Sequence, residues 1–503
     1  MKKIFISRII LLSATILIAC TSPDNQHLEQ ALLLAGDNRY ELEKVLAHYA
    51  DMPEKLAAAR FLIMNMPYHF SQDEYFLSPK GEKYRPDISK FSDHKAVESY
   101  CDSLIRYGYR INRKKVHDIS SLDSSFLVNN IELAFEVWQK PWSRNISFDD
   151  FCKYILPYRS QTEMPSDLRR EMMERFMHLL DSAKVQTPLE ACRVLNEQLK
   201  DIMKYRNTGL PFYPTIEETY KAGVAQCEGI CNLGAFIMRA CGIPVAIDQT
   251  TWSKMDLGHS WCAVLDNGKF YSFGPGELQP EEHAQAFAER RKLRPVKVYR
   301  SCFEPDFSQM NEKDDGYVTF LKSPLIHDVT IEYLDRTTSI QVTVDKKERK
   351  AGKSNQVYLC VYNYYAWQPI AIGQRNGDIC HFDRVVGDNI FMVADSPEGN
   401  GLHFITAPFY TDKEGNTRKF IPQKENTLAF TFDKRRNRLD QEHILHYWEP
   451  DKNRFVPLQY ASETDTTQTY ERIPREALLW YTIPKRIVNQ RLLFIENDSL
   501  KTY

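Results

Sequence analysis

The sequence predicts an α+β protein with a helical N-terminal region, a mixed core near its middle and C-terminal antiparallel β-sandwich modules. Three observations carry that prediction. Apolar residues recur every three or four positions up to about residue 204. A helix-like run from Ile230 to Ala240 is followed by short strand-like segments at 244–251, 259–265 and 269–273. After about residue 325 the period drops to two, as in Ile340, Val342 and Val344.

The first nineteen residues read as a leader. Lys2, Lys3 and Arg8 flank an apolar stretch, Ile9 to Ile18, and Leu17-Ile18-Ala19-Cys20 fits a lipobox. Cleavage before Cys20 and acylation of its sulfur are expected, with that lipid as the contact to the membrane. Thr21 in place of an aspartate favours the outer membrane, so a cell-envelope lipoprotein is expected. Loss of the leader takes Lys+Arg from 65 to 62 against 67 Asp+Glu. That balance, with no basic stripe, excludes nucleic acid as a partner. A hydrophobic content of 43% is ample for packed cores in a chain of 503 residues.

Between Asp24 and about Pro67, Leu28, Ala31 and Leu32, then Leu42, Val45 and Leu46, then Leu56, Ala59 and Leu62 keep helical spacing. Residues 68–92, rich in Tyr, Ser, Pro and charge, read as a connecting loop. Helices are expected at 94–108, 121–138, 147–155, 166–184 and 188–204. Thr187-Pro188-Leu189-Glu190 is a helix start, with a cap, a proline at the first position and a glutamate at the third. This block reads as a scaffold, with Tyr158-Arg159 and the Trp138/Trp142 pair as candidates for a lid or exosite.

Thr215-Ile216-Glu217-Glu218 reads as a capping box opening a short helix towards Cys227. Further on, Val329, Ile331 and Tyr333 alternate, as do Val357, Leu359 and Val361, and Leu428, Phe430 and Phe432; all read as strands. Trp367-Gln368-Pro369-Ile370 has Phe382 15 residues after its first member, and Phe455-Val456-Pro457-Leu458 has Tyr470 at the same offset. That similarity suggests two related β-modules. The expected division is 1–19 signal peptide, 20–92 helical segment and linker, 93–204 helical region, 205–320 core, 325–415 first module and 416–503 second module.

The chemistry concentrates at Ala225-Gln226-Cys227-Glu228-Gly229. A thiol at a helix start, followed in order by a histidine at a strand start in Gly258-His259-Ser260-Trp261, is how cysteine nucleophiles are commonly built. The helix N-terminus favours thiolate and a nearby imidazole can hold the proton. There are 11 cysteines. With Cys20 lipidated and Cys227 free, the remaining nine are scattered without tight pairing and read as buried apolar residues rather than a disulfide framework. Cys227 and Cys231, one turn apart with no second Cys/His pair at zinc spacing, do not read as a metal site. No metal and no cofactor are expected.

Cys227-Glu228-Gly229, Met238-Arg239-Ala240-Cys241-Gly242-Ile243-Pro244-Val245 and Gly258-His259-Ser260-Trp261 together resemble the transglutaminase-like superfamily core. The resemblance implies a papain-like Cys–His–Asp arrangement. In the family's pattern Gly-Lys-Trp-Tyr-x-x-Asp-Pro, this chain reads Gly268-Lys269-Phe270-Tyr271-Ser272-Phe273-Gly274-Pro275, so the aspartate position falls on Gly274. Glu277, three residues on, is the candidate replacement, and Ser272 a weaker orienter of the ring.

The expected activity is acyl transfer from an amide. Cys227 attacks, His259 protonates the leaving amine, and the thioester is resolved by water or an amine. Hydrolysis is expected over cross-linking, because a tethered envelope protein meets water and peptides first. The substrate is expected to be a peptide, protein or glycopeptide. The backbone N–H of Cys227, with Gln226, Trp252 and Trp261 nearby, is the expected substrate and oxyanion surface. The alternative is a catalytically impaired scaffold that binds glycan or protein through its β-modules, with Trp367, Trp448 and Trp480 as stacking surfaces.

Overall fold

The computed structural model describes residues 23–254, 258–290, 294–308, 320–345, 355–396, 401–433, 444–482 and 491–502. The expected leader and Cys20 lie outside them. No described helix is long and apolar enough to cross a membrane. Two compact units emerge. The first comprises the described residues up to Ile247, with Trp261–Ala284 and Ser301–Pro305. The second comprises Asp248–Ser260, Gln285–Arg300 and the described residues from Asp306 onward.

The first unit is mainly helical: α1 (Pro23–Leu34), α2 (Arg39–His48), α3 (Pro53–Asn65), α4 (His94–Arg106), α5 (Ser124–Trp138), α6 (Phe148–Tyr154), α7 (Arg169–Ala183), α8 (Pro188–Leu199), α9 (Ile216–Ala222) and α10 (Cys227–Ala240). The starts are fixed by side chains that accept from orphan amides. Thr187 accepts from Glu190 N at 3.2 Å, with Pro188 at the first helical position as the sequence suggests. Thr215 and Glu218 form the predicted capping box, at 3.2 and 2.9 Å. Asp93, Asp123 and Ser147 cap α4, α5 and α6 in the same way.

The loop reading of 68–92 is corrected. β1 (Phe70–Leu77) pairs antiparallel with β2 (Lys83–Tyr84) and with β3 (Arg110–His117). The pairing is partly electrostatic: Asp73 faces Lys114 and Glu74 faces Arg113. A charged ladder of this kind leaves little apolar alternation to read.

Tyr158, Arg159 and Trp142 are interior residues of this unit rather than a lid. Arg159 Nη2 donates to Asp118 Oδ1 at 2.7 Å and to Ser71 Oγ at 2.7 Å, and its Nη1 donates to Phe70 O at 2.7 Å. Tyr158 donates to the other Asp118 oxygen at 2.8 Å, and the Trp142 indole donates to Cys241 O at 2.9 Å. Trp138 is half-buried and donates to Ile146 O. At the far end of α10, Arg239 donates to Arg159 O and Val245 O, each at 2.7 Å. The helix that starts with Cys227 is thereby clamped at its C-terminus.

Beside this network His69 is buried, stacked on Phe303 with ring centroids 4.1 Å apart, and its Nε2–H donates to Phe303 O at 2.8 Å. Its Nδ1 has no hydrogen-bond partner among the described residues. Burial, then the charge of Arg159, push its pKa down to about 3. In the unfolded chain the ring titrates near the ordinary histidine value of 6.5, so stability contributed by the neutral ring is lost as pH falls below that value. From pH 7 to pH 5 the loss is expected to be about 2 kcal/mol. Urea unfolding at both pH values should show it, and His69→Gln, which keeps a donor for Phe303 O, should lack it.

From the first unit, β4 (Lys204–Tyr205) runs parallel to β5 (Val224–Ala225). The second half of β7 (Gly258–Asp266) pairs with β8 (Lys269–Phe273), Cys262 facing Phe273. In the second unit, the latter half of β6 (Val245–Trp252) lies beside β9 (Pro295–Ser301), where Thr250 Oγ1 donates to Lys297 O at 2.7 Å. Between them in sequence is α11 (Pro280–Arg290). After β10 (Ile326–Asp328) the alternation at Val329, Ile331 and Tyr333 does not make a strand. Asp328 Oδ1 accepts from Thr330 N and Oγ1 at 3.0 and 2.6 Å, which turns the chain into the short helix α12 (Thr330–Tyr333).

The C-terminal region is antiparallel sheet throughout, as the α+β prediction requires. β11 (Thr338–Thr343), β12 (Gln356–Asn363), β13 (Ala366–Asn376), β14 (Ile379–Val385), β15 (Asn389–Asp395), β16 (His403–Phe404), β17 (Phe409–Thr411) and β18 (Thr417–Lys419) form one sheet. All eight residues of β12 are buried. Val357, Leu359 and Val361 enter one core, while Tyr358, Cys360 and Tyr362 enter another on the opposite face. That second core also contains Trp448, Trp480, Leu492 and Phe494 from the following strands, Ile444–Glu449, Leu479–Thr482 and Arg491–Glu496, with Leu478 just before the second of them.

Trp367, Trp448 and Trp480 are therefore core residues, 6%, 3% and 8% exposed. Trp367 meets Trp448 edge-on at 5.8 Å, and Phe455 meets Trp480 at 5.1 Å. Trp367 and Phe455, which open the two similar segments, meet in this core, whereas Phe382 lies in the first core and Tyr470 in a third. No stacking platform for sugar is presented by these three tryptophan rings.

Candidate active site

The chain enters α10 through β5, which is held by β4 and by Arg206 N donating to Ala225 O at 2.9 Å. Gln226 is extended, with φ −73° and ψ 171°, and the helix begins at Cys227. Ile230 N closes the first turn on Gln226 O at 3.0 Å. The positive end of the helix dipole falls at the Cys227 side chain, which favours its thiolate. Cys227 is half-buried, whereas the other nine described cysteines, Cys231 among them, are buried. The Gln226 side chain is exposed and donates to Asn207 Oδ1 at 3.4 Å.

Gly274 ends β8 and closes a tight turn, its N and O both bonded to Leu278 at 3.0 Å. Asn196, wholly buried on α8, fastens that turn three times. It donates to Gly274 O at 3.3 Å and Leu278 O at 3.1 Å, and accepts from Gly276 N at 2.9 Å. The turn reaches α10 because residue 234 is glycine: a Cβ there would lie 2.5 Å from Pro275 Cβ. A Cβ on Gly274 would sit 3.4 Å from Glu277 Cβ. Glu277 thus leaves the backbone beside the place where the family's aspartate would stand, and its side chain is exposed.

Cys227 and Glu277 share two neighbours. Both act on the Tyr205 hydroxyl, which burial, then the Cys227 and Glu277 charges, push up from its ordinary value. Both also raise the Cys231 thiol, after burial and its contact with Cys262. On the other side, burial pushes the Glu228 carboxyl up, opposed by a hydrogen bond from Tyr213. Tyr205 and Tyr213 are exposed large rings on the 204–214 segment. Arg85 secures that segment, donating to Tyr213 O at 3.0 Å and to both Glu218 oxygens at 2.6 Å. Tyr205 does not stand out in the sequence, whereas Tyr213 lies in the Pro/aromatic run 209–214.

His259 and Trp252 belong to the second unit. Trp252 is buried, and its ring lies 6.3 Å from the half-buried His259 ring at an interplanar angle of 24°. Phe287 packs at 6.0 Å, and Asn363 donates to Trp252 O at 2.7 Å. Trp252 is a wall behind the histidine. Two expectations are corrected in the first unit. Trp261 is fully buried, 5.7 Å from the His283 ring, so it offers no substrate surface. Ser272 Oγ is hydrogen-bonded to His283 Nδ1 at 3.0 Å rather than held for the ring of His259.

The family model described as the transglutaminase-like superfamily matches residues 179–275. Among solved structures, a crystal structure described as a "Putative Cysteine Protease" from Cytophaga hutchinsonii is similar at 16% identity, with a TM-score of 0.22. The match covers 27% of this chain and 45% of that one. No curated protein matches the sequence. The matched segment contains Cys227, His259 and Gly274 and stops two residues short of Glu277, so over residues 179–275 this chain is similar to the transglutaminase-like superfamily core.

Proposed function

We propose that this protein is an envelope-anchored cysteine enzyme that hydrolyses amide bonds through a thioester on Cys227, with Glu277 in place of the family's aspartate. The observation that carries the reading is the Glu277 turn. Its Cβ is 3.4 Å from a Cβ built on Gly274, on a backbone that Asn196 fixes beside the nucleophile helix. The family match, which spans both Cys227 and His259, supports pairing those two residues.

In the proposed reaction the Cys227 thiolate attacks the amide carbonyl carbon. The C–N bond breaks as His259 delivers a proton to the leaving amine. Water, giving its proton back to His259, then attacks the thioester, and the acid and the thiolate are released. The Cys227 backbone N–H and the exposed Gln226 amide are the proposed donors to the oxyanion. Glu277 supplies the counter-charge for the imidazolium. Anchoring through a lipid on Cys20 follows from the N-terminal sequence and belongs to the same proposal.

The test is the pH dependence of Cys227 alkylation by iodoacetamide, read by peptide mass spectrometry. Half-maximal rates are expected well below the free-thiol value of about 8.5. His259→Ala should slow labelling at neutral pH by about tenfold or more, and Glu277→Gln should move the profile in the same direction. An ordinary thiol profile, indifferent to both substitutions, would sink the enzyme reading. The buried cysteines serve as internal unreactive controls.

A further inference from the structure

The second unit contains a cavity of about 530 Å3 at the end of β6. Four cationic residues line it, Lys254, Arg294, Arg336 and Lys413, against the carboxylates of Asp335 and Asp388. Asp388 is engaged within the wall. Arg294 Nη2 lies 3.0 Å from its Oδ2, Tyr410 donates to its Oδ1 at 2.9 Å, and Arg294 Nη1 donates to its carbonyl. The lining thus carries an excess of positive charge in a recess, where apolar walls concentrate the field.

The wall is held in a shape that costs free energy. Arg294 and Asp388 both sit in the left-handed region, at φ 58° and 59°, which an arginine seldom adopts. Such residues persist where surrounding contacts over-determine them, and they cluster at binding sites. Gly387 serves the same end. A Cβ there would lie 2.1 Å from Asp412 O and 2.9 Å from Lys413 Cα, so only glycine lets the turn bearing Lys413 close on the cavity. That turn is itself fixed, Asp412 accepting from Asn416 N at 2.8 Å and from Glu414 N at 3.0 Å. Finally, Ser253 N donates to Arg294 O at 3.0 Å. Ser253 directly follows Trp252, whose ring backs His259, so one strand end carries both the cavity wall and the histidine's neighbour.

We propose that this cavity is a subsite for an acidic residue of the peptide substrate, its carboxylate held by Arg336 and Lys413. The assignment rests on the reading of Cys227 as a peptide-cleaving nucleophile. Its volume suits one or two side chains, and arginine forks match carboxylate geometry.

Fluorescence polarisation of a labelled triglutamate peptide and its triglutamine counterpart tests the proposal, using the Cys227→Ala protein so that neither is turned over. The glutamate peptide is expected to bind about tenfold tighter at about 50 mM salt, the preference shrinking as salt rises. Arg336→Glu with Lys413→Glu should abolish the preference, and the milder Arg336→Gln with Lys413→Gln should reduce it if the charge-reversed protein folds poorly. Equal binding of the two peptides would overturn the subsite, as would a preference that both double variants retain. A phosphoserine peptide bound more tightly than triglutamate would overturn the carboxylate assignment. Because this readout does not use the thiol, failure here with fast Cys227 alkylation removes the subsite alone, and slow alkylation with an intact preference removes the nucleophile alone.

Discussion

Arg159→Met is expected to destabilise the protein by about 3–5 kcal/mol, the largest effect of any single substitution considered. Both charges of its pair with Asp118 are buried, with side chains 0% and 1% exposed. Removing the guanidinium strands a carboxylate that burial already pushes above its ordinary range. It also removes donors from Phe70 O and Ser71 Oγ. The attraction within the pair is not the main quantity at stake; the uncompensated charge is. Asp118→Leu combined with Arg159→Met should therefore recover part of the loss, measured as a double-mutant cycle by urea unfolding. A double variant as unstable as the sum of the singles would refute that account.

Asn196→Ala is expected to cost about 3 kcal/mol and to disconnect Glu277 from the thiol. Gly276 N loses the acceptor at 2.9 Å, and the side-chain volume leaves a void in a fully buried position. The carbonyls of Gly274 and Leu278 keep their mutual bonds across the turn. The functional readout separates positioning from mere stability. In the Asn196→Ala background, adding Glu277→Gln should change the alkylation profile of Cys227 much less than it does in the wild type. Strictly additive effects would show that Asn196 does not position Glu277.

The core was legible because its chemistry is encoded locally. A thiol placed after Ala225-Gln226 begins a helix, and the capping residues Thr187 and Thr215 accept the amides their sequence offers. What was not legible depends on partners distant in sequence. β1 is matched to β3 by charge across forty residues, so neither strand shows an apolar alternation of its own. Val329, Ile331 and Tyr333 do alternate, but the Asp328 side chain competes for the backbone and wins. The three C-terminal tryptophans could be read as platforms or as core, and only the opposing strands that cover them decide. Tyr205 carried no signal at all, since its place beside Cys227 comes from a two-residue parallel pairing.

The thiols bear on how such a chain could survive an oxidising compartment. Disulfide exchange needs a thiolate that another sulfur can reach. Burial pushes Cys101 and Cys380 up to about 11, and Cys152 and Cys241 up to about 12. Cys192 is raised well above the ordinary thiol range for the same reason. Folding therefore acts as the chain's antioxidant, closing these sulfurs to mixed disulfides while Cys227 stays half-buried. The protection lasts only as long as the packing. A molecule caught half-folded would expose many competing thiols at once, so under the proposed export the speed of folding would matter as much as final stability does.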